Sequence, residues 1–422
     1  MKALNYLLFF FLFISCTETT EAPSNPSEPD EPEDPVETET HDKFYFTFEE
    51  DILNFIFESK DTTYDLSDPV PLLRFNEDTV QVQKMKVRGN SASRVRRKSF
   101  NVDTEDFLSF RQEHISEPTE SKDFRLLAMS ADLCYIENRI GFGLLQQADI
   151  FPLFFKYVEV FLNEETNGVY FLIENPNDYF LDKNDHSILL RRGYYGNIDS
   201  YKYEDNGDGF SVGNYYAAFN TIYDVIKDYE GVELFDRLDE VLNVRQYMQK
   251  IAFDYLIQNG DYTDEIYLYD LPGDDKIRFH VVPWDLDDIF AELPHEIGIT
   301  WGTGNVFGNR YYGSIQDVID DVGEKLIFSI EDDLDYSIAK DPYLYSIYLE
   351  EMEKLMNLIN ESDIQREFDR IENELVDFFE DSAIVDQTSH DLEPCDAQSL
   401  IDEINDKEAF LINRRQFILD QL

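Results

Sequence analysis

The 422-residue chain is strongly acidic: 89 Asp and Glu residues stand against 35 Lys and Arg residues, for a formal net charge of −54. A charge of this sign and size repels nucleic acid and anionic membranes, so we expect no nucleic-acid partner. Hydrophobic residues make up 43% of the sequence and aromatic residues 15%, enough for a sizeable core in one large or two medium domains. The composition indicates a globular protein.

The first 16 residues predict an export signal. Lys2 is followed by an apolar run from Tyr6 to Ile14, which is shorter than the roughly 20 residues that cross a bilayer. The sequence FISC at 13–16 resembles the lipobox of bacterial lipoproteins, although Leu is more usual at its first place. We therefore expect a signal peptide at 1–16 and a lipidated Cys16 that anchors the protein to a membrane, at the cell surface or in the periplasm. An ordinary secretory signal with an incidental cysteine is the alternative.

Residues 17–42 are rich in Pro and Glu and nearly devoid of large apolar side chains. Such a segment cannot offset the entropy cost of ordering, so we predict a disordered acidic tether. Residues 43–422 are expected to form the folded unit. Cys134 and Cys395 are the remaining cysteines, and a single bridge between them is possible but does not follow from the sequence.

The first half of this unit alternates short strands with turns. Strand patterns occupy 84–90, 97–102, 157–163 and 168–174, with a hairpin turn predicted at Asn167–Gly168. One helix interrupts them. We expect Ser130 to cap it and one face to carry Leu133, Ile136, Ile140, Leu144 and Leu145.

The second half is mainly helical. A clear apolar repeat predicts a helix that Asn243 caps and that ends near Asn259–Gly260. Two strands follow, at 265–270 and 276–282, and further helices are expected around 343–377 and 397–420. The fold class is therefore α+β, with a β-rich first half and a helical second half.

Two acidic positions lie at the ends of this strand pair. Asp261 precedes the first strand, and the second strand runs into Trp284 and then Asp285, Asp287 and Asp288. A hairpin brings its two ends together, so one carboxylate can orient a nucleophile while the other holds a divalent cation. The alternative is an ordinary solvated loop.

A basic segment at 84–98 contrasts with the rest of the chain. It contains seven Lys and Arg residues, among them Arg88 and Lys98, and no acidic residue. Its centre, Gly89 to Ser93, is a turn of small residues whose backbone N–H groups can approach phosphate oxygens. The segment predicts a phosphate site, or alternatively an exposed patch that contacts lipid head groups or an acidic partner.

Five stretches resemble the successive blocks of the spore coat protein H (CotH) kinase family, in the family's order. They are KVRGNSASRVRRKSFNV at 86–102, RLLAMSADLCYIENRIGFGLLQQ at 125–147, YVEVFLNEETNGVYFLIEN at 157–175, GDYTDEIYLY at 260–269 and VVPWDLDDIF at 281–290. The resemblance implies an atypical protein-kinase-like fold of two lobes, here about 43–178 and 179–422. It also implies ATP and Mg²⁺ or Mn²⁺ as cofactors and a protein substrate with a Ser or Thr acceptor.

The same resemblance assigns roles to individual residues. Asp261 corresponds to the catalytic aspartate, Asp285 to the metal-binding aspartate and Lys98 to the lysine that contacts the nucleotide phosphates. Asp287 is a further candidate metal ligand. Other candidate nucleotide contacts are Arg88, Gly89, Asn90, Ser91, Glu174 and Glu137, the last as a possible partner of Lys98.

One position departs from the family pattern. The family usually has an Asn metal ligand a few residues after the catalytic Asp, whereas Glu265 stands there in this chain. A carboxylate can still bind Mg²⁺ or Mn²⁺, with altered metal preference. We therefore expect a protein kinase outside the cytoplasm. The alternatives are a catalytically weak or inactive surface adhesion protein and an enzyme that transfers AMP.

Overall fold

The structure, a computed structural model, describes residues 41–422 apart from 59–63, 67, 69, 90–94, 112–117, 131, 194–195, 208, 262–265, 296, 298–311 and 389–394. The predicted signal peptide and nearly all of the predicted tether thus lie outside the described residues. At the end of the tether, the His41 ring stacks on Phe378 at 3.8 Å, and Asp42 pairs with Lys156 at 2.7 Å. Residues 41–422 form one compact unit.

In the described residues, the first half of this unit folds into nine strands: β1 (Lys43–Thr47), β2 (Tyr64–Asp65), β3 (Leu72–Phe75), β4 (Asp78–Val80), β5 (Val82–Arg88), β6 (Ser99–Phe110), β7 (Thr119–Leu127), β8 (Phe155–Leu162) and β9 (Glu165–Glu174). They form one sheet in the order β2-β5-β6-β7-β9-β8-β1-β3-β4. The β1–β8 pair is parallel and the other neighbours are antiparallel.

Alternate side chains of this sheet fill an aromatic and aliphatic core. In β6, Phe100 and Val102 are buried in the core, whereas Asn101 between them points to the opposite face. Directly paired residues share a face, so Val87 of β5 and Leu126 of β7 accompany Phe100. The opposite face of β5, β6 and β7 is therefore available for polar side chains.

The hairpin between β8 and β9 turns at a different place from the predicted one. Its turn is Asn163–Glu164, with φ of 50° and 66°, and Asn163 Oδ1 accepts the N–H of Phe48 at 2.7 Å. The predicted turn, Asn167–Gly168, lies inside β9, where Gly168 has φ of 86° beside a shift in register. The prediction was wrong because an Asn-Gly pair suits a strand irregularity as well as a tight turn.

A second, four-stranded antiparallel sheet lies in the second half. Its strands are β10 (Ile188–Gly193), β11 (Asn197–Tyr203), β12 (Ile266–Tyr269) and β13 (His280–Pro283), in the order β11-β10-β12-β13. The predicted hairpin of two strands is confirmed as β12–β13. Its second strand begins late because Phe279 hydrogen-bonds with the backbone of Val241 and Asn243 instead.

Helices dominate the second half. The first half contains α1 (Glu50–Glu58) and α2 (Glu137–Gln147). The described helices of the second half are α3 (Val212–Asp228), α4 (Gly231–Asp239), α5 (Val244–Ile257), α6 (Ile315–Val322), α7 (Asp333–Lys340), α8 (Pro342–Leu358), α9 (Glu361–Glu380), α10 (Ser382–Thr388) and α11 (Ala397–Gln421). Asn243 caps α5 as predicted, accepting the N–H of Gln246 at 3.2 Å. None of the described helices has the length and apolar character that spanning a membrane requires. The mixed α+β class, β-rich first and helical second, is confirmed.

The start of α2 differs from the prediction. A 3₁₀ turn at Leu133–Tyr135 precedes the helix, and the Asp132 carboxylate accepts the N–H groups of Glu137 and Asn138 at 3.0 and 3.2 Å. Asp132, and not Ser130, therefore caps α2, because the 3₁₀ turn moves the helix start away from Ser130. Cys134 in this turn is bonded to Cys395, so a disulfide ties the start of α2 to the start of α11.

Candidate functional site

The acidic stretch 284–288 leaves β13 and is held against α2. Trp284 is buried, with its ring 6.1 Å from that of Phe142. Leu286 is also buried, and its N–H donates to Asn138 Oδ1 at 3.2 Å. These two anchors alternate with acidic residues, so the carboxylates are more exposed than their apolar neighbours; they belong to Asp285, Asp287 and Asp288.

Asp261 lies beside this stretch. The N–H of Gly260 donates to the carbonyl of Asp288 at 2.8 Å, and a Cβ on Gly260 would clash with the Asp288 carboxylate. His295 bridges the two segments, with Nδ1 at 3.5 Å from Asp261 Oδ1 and Nε2 at 3.0 Å from Asp288 Oδ2. The two ends of the β12–β13 hairpin therefore converge, as their spacing predicted.

His295 is a site residue that the sequence analysis missed. Its burial favours the neutral ring, but hydrogen bonds to Asp261 and Asp288 and their negative charges outweigh this and raise its pKa to about 10. The ring is thus positively charged at neutral pH and neutralises part of the acidic cluster. A single loop histidine has no periodicity or motif spacing, so no sequence signal pointed to it.

Glu137, in the first turn of α2, faces the same cluster. Burial raises the pKa of its carboxyl group to about 10, and the negative charges of Asp132 and Asp287 add to this effect. Its described cationic partner is Lys407 of α11, at 3.9 Å, rather than the suggested Lys98. Only the fold brings a residue 270 positions away, by sequence number, to this carboxylate.

Like-charge repulsion is the main cause of the raised pKa of Asp287. The neighbouring Asp285 raises the pKa of this carboxyl group well above its ordinary range, with smaller contributions from burial and from other acidic residues. Because the Asp287 side chain is exposed, we attribute the shift to the repulsion rather than to burial. A cation held between these carboxylates would relieve the repulsion.

The donor chemistry suits Mg²⁺ or Mn²⁺. Within the described residues, no group of three His, Cys, Asp or Glu side chains is arranged to hold a metal ion. Mg²⁺ needs fewer protein ligands than that, since it is usually held by one or two carboxylates together with substrate phosphates and water. Asp285 and Asp287 therefore fit such an ion, while the third candidate, Glu265, lies outside the described residues.

Two arginines of the nine-stranded sheet face the acidic stretch. The Arg125 guanidinium lies 4.5 Å above the ring of Trp284. Arg88, at the end of β5, lies close enough to Asp285 for the carboxylate to stabilise its charge. Burial nevertheless lowers the pKa of Arg88 to about 10, and repulsion by Arg125 contributes. The basic segment and the acidic stretch thus meet at Arg88, as the sequence analysis suggested when it assigned them to the phosphates and the metal ion of one site.

The remaining predicted residues have other described contacts. Lys98 is buried, and its Nζ donates to the carbonyl of Val95 at 2.6 Å. Glu174 is buried, pairs with Lys183 and accepts the N–H of Phe154 at 3.3 Å. Gly89 has φ of 97°, which favours glycine, whereas Asn90 and Ser91 lie outside the described residues.

The basic segment is also not a uniform anion site. Arg97 is fully buried and donates to the carbonyls of Asn167, Ala128 and Val169 and to the hydroxyl of Tyr135. Most of its hydrogen bonds go to backbone carbonyls. The Arg97 side chain thereby joins the start of β6 to β9 and to the turn before α2. A cluster of basic residues in the sequence therefore divides into a structural part and a part that faces the site.

Comparison with solved structures finds distant likenesses. One is a chain of the HipA–HipB toxin–antitoxin complex with operator DNA from Shewanella oneidensis MR-1, with 17% identity and a TM-score of 0.26, covering 75% of this chain and 66% of that one. Another is the proinflammatory kinase CtkA of Helicobacter pylori, with 8% identity and a TM-score of 0.32, covering 75% and 94%. Similarity at this level carries no conclusion about this chain. The chain spans just under two thirds of the first of these proteins.

No protein of curated function matches the chain. In contrast, residues 85–418 match a family described as CotH kinase protein. The matched region runs from β5 to the last turns of α11 and so includes every described residue of the candidate site. The chain belongs to the CotH kinase protein family.

Proposed function

We propose that this protein is a metal-dependent protein kinase that acts outside the cytoplasm and transfers the γ-phosphate of ATP to Ser or Thr of a surface or secreted protein. The observation that carries the proposal is the convergence of Asp261, Asp285 and Asp287 opposite Arg88 and Arg125. Such a site presents oxygen donors for a cation on one side and guanidinium groups for phosphates on the other. In this proposal two lobes enclose it.

Each residue has a defined task in this proposal. Asp285 and Asp287 hold the divalent cation, with Glu265 as a third candidate ligand. When bound, that cation supplies positive charge to the phosphate oxygens. Asp261 accepts a hydrogen bond from the substrate hydroxyl, and its contact with His295 fixes its position. Phosphoryl transfer depends mainly on positioning and charge cancellation, so the chain needs no activated nucleophile.

The phosphate side of the site is formed by the first sheet. Arg88 and Gly89 at the end of β5 lie next to the turn that the family resemblance assigns to the phosphates, and Lys98 is the lysine assigned to the same role. Gly89 permits a positive φ at the start of this turn.

The disulfide supports a location outside the cytoplasm. Structural disulfides persist in oxidising compartments and are rare in the cytosol, where thiols are kept reduced. The Cys134–Cys395 bridge therefore agrees with the signal peptide predicted at 1–16 and with lipid attachment at Cys16. Residues 17–42 would then tether the catalytic unit to the membrane.

Radiolabelled ATP tests the activity. The purified protein is incubated with Mn²⁺, ATP labelled at either the γ- or the α-phosphate, and a peptide library containing Ser and Thr. We expect γ-label to enter protein or peptide, and Asp285→Ala and Asp261→Asn each to lower this rate by about 10²- to 10³-fold. Asp275→Asn, which alters an exposed turn residue, is the matched control and retains the rate.

Three outcomes contradict parts of the proposal. Transfer of α-label alone would indicate adenylyl transfer. A protein that binds neither ATP nor Mn²⁺ would be a surface binding protein. Full activity of the Asp285→Ala variant would show that the metal site lies elsewhere.

A further inference from the structure

Arg125 of β7 is a buried cation that faces the acidic stretch and has no individual task assigned so far. Its side chain is only 9% exposed, and its guanidinium covers the ring of Trp284 at 4.5 Å. One terminal nitrogen donates to Asn175 Oδ1 at 3.3 Å, whereas Nε has no hydrogen-bond partner among the described residues. Buried N–H groups of charged side chains are normally satisfied, so an unsatisfied one next to a proposed anion site points to a ligand.

The position of Arg125 is fixed from two sides. Trp284 lies against one face of the guanidinium, and Asn175 holds its edge. Asn175 is itself held by Asp123, which accepts the Asn175 side-chain amide at 2.8 Å and the backbone N–H at 3.2 Å. An arginine oriented in this way loses little conformational entropy on binding an anion.

Strand pairing places Arg88 on the same face of the sheet. Arg88 pairs with Ser99, and Arg125 pairs with Asn101, two residues further along β6. Residues two apart in a strand share a face, so the two arginines lie on one side of the sheet. Asn101 Oδ1 on this face is also buried and finds no hydrogen-bond partner in the part of the chain that the structure describes.

The two arginines lie close enough to repel each other. This repulsion is the second cause, after burial, of the lowered pKa of Arg88, and Asp285 only partly offsets it. An anion with several negative charges would stabilise both guanidinium groups at once. Guanidinium groups also match phosphate geometry, because they donate two parallel hydrogen bonds.

We propose that Arg125 and Arg88 together bind the phosphate oxygens of the nucleoside triphosphate, with Trp284 and Asn175 orienting Arg125. This inference rests on the proposed function and assigns Arg125 as a nucleotide-binding residue. Asp285, a residue that would hold the cation, also lies near Arg88, so one metal-bound triphosphate would contact both sides of the site.

Calorimetric titration with Mn²⁺-ATP and with Mn²⁺-tripolyphosphate measures this binding. We expect Arg125→Gln and Arg88→Gln each to weaken binding of both ligands by about 10- to 100-fold, the effect of losing a charge-assisted hydrogen bond. Arg125→Lys keeps the positive charge but loses the two parallel N–H donors of the guanidinium group. It is therefore expected to bind nearly as weakly as Arg125→Gln. Lys202→Gln, which removes one exposed charge from β11, is the matched control and changes affinity less than twofold.

Tryptophan fluorescence gives a second readout. The chain has two tryptophans, and in a Trp301→Phe background the signal comes from Trp284, against which Arg125 lies. Tripolyphosphate should change this signal in the otherwise unaltered protein and not in the Arg125→Gln variant. Thermal unfolding identifies a variant that fails to fold, and the less buried Arg88→Gln then provides the test.

The outcomes separate the inference from the proposed function. If the wild type binds ATP and both arginine variants keep its affinity, the inference is overturned while the kinase proposal stands. If tripolyphosphate binding depends on both arginines but no γ-phosphate is transferred, the anion site stands and the kinase proposal falls. If the wild type binds neither ligand, both are overturned.

Discussion

Two charged clusters contact helix α2, and they are built in opposite ways. Around Arg139, which is 1% exposed, charges are paired: its guanidinium contacts Glu374 at 2.8 and 2.9 Å and Glu367 at 3.1 Å. Glu367 has a second cationic partner in Arg370. This cluster joins α2 to α9 and leaves little charge uncompensated.

The cluster around Asp285 contains more acidic than basic groups. Repulsion raises the pKa of Asp287, and burial and repulsion together raise that of Glu137. Among the described residues, His295 and Lys407 contact carboxylates of this cluster, and Arg88 lies near Asp285. The comparison indicates that charges serving the fold are neutralised within it, whereas uncompensated charges mark a place for a bound counterion.

Arg139→Met breaks the paired cluster and has the largest expected effect. It leaves Glu367 and Glu374 without their shared partner, and removing one member of a buried ion pair costs about 3–5 kcal/mol. Urea unfolding followed by circular dichroism measures the change. Arg237→Met, which breaks an exposed pair with Glu233, is the control and should leave the unfolding midpoint unchanged. Equal unfolding midpoints for the two variants would show that the buried cluster around Arg139 stabilises the fold no more than an exposed ion pair does.

Cys395→Ser tests the contribution of the Cys134–Cys395 disulfide next to helix α2. The bridge constrains the unfolded chain and ties the start of α2 to α11, so its loss should lower the free energy of unfolding by about 2–4 kcal/mol. Cys134→Ser should give the same loss, and the double variant no more than either alone. Additive losses would show that the two cysteines do not form one bridge.

His295→Gln tests the cation within the acidic cluster through its pH dependence. The folded-state pKa of His295, about 10, lies above the ordinary value of 6.5. Its stabilising contribution is therefore complete below pH 6.5 and declines as the pH rises towards 10, by at most about 1.4 kcal/mol per pH unit. The stability difference between wild type and variant should shrink across this range.

His280→Gln is the control for that experiment. Burial lowers the pKa of His280, so its contribution is lost as the pH falls instead. The two variants should thus show opposite pH trends in chemical unfolding. A pH-independent difference for His295→Gln would show that the ring is not charged in the folded protein.

Asp287→Asn should have the smallest effect on stability, and it should stabilise the protein rather than destabilise it. In EDTA at pH 8 it removes repulsion from Asp285 and should raise the melting temperature, by about 2 °C for each kcal/mol relieved. The gain should become smaller as the pH falls, because the raised pKa of Asp287 lets the wild-type side chain take up a proton more readily than an ordinary Asp. Mn²⁺ should stabilise the wild type more than the variant. Asp275→Asn, at an exposed turn, should show neither effect.

Much of the site's outline could be predicted from local sequence. The α5 repeat with its Asn243 cap, the hairpin after it and the acidic residues beyond Trp284 are local patterns, and the structure contains each of them. The turn between β8 and β9 was misplaced because Asn163–Glu164 and Asn167–Gly168 both allow the left-handed conformation, and only the pairing of the strands selects between them.

The partners across the site could not be predicted. His295 and Lys407 belong to no motif, and Arg125 opens one of the family blocks without a role that the block assigns to it. Each acts through a neighbour that is distant in sequence. Asp132 replaced Ser130 as the helix cap because a 3₁₀ turn, which the apolar periodicity does not reveal, moved the start of α2.

The sequence by itself determined the fold class, the family and the acidic stretch, because propensity, periodicity and motif spacing are properties of neighbouring residues. Only the tertiary structure decided which charges are neutralised. Arg97 and Arg88 come from one basic segment. Arg97 donates its hydrogen bonds to backbone carbonyls, whereas Arg88 faces Asp285. The reason is physical: the energy of a charge depends on its burial and on its partners in space, and both are set when the sheet packs against the helices.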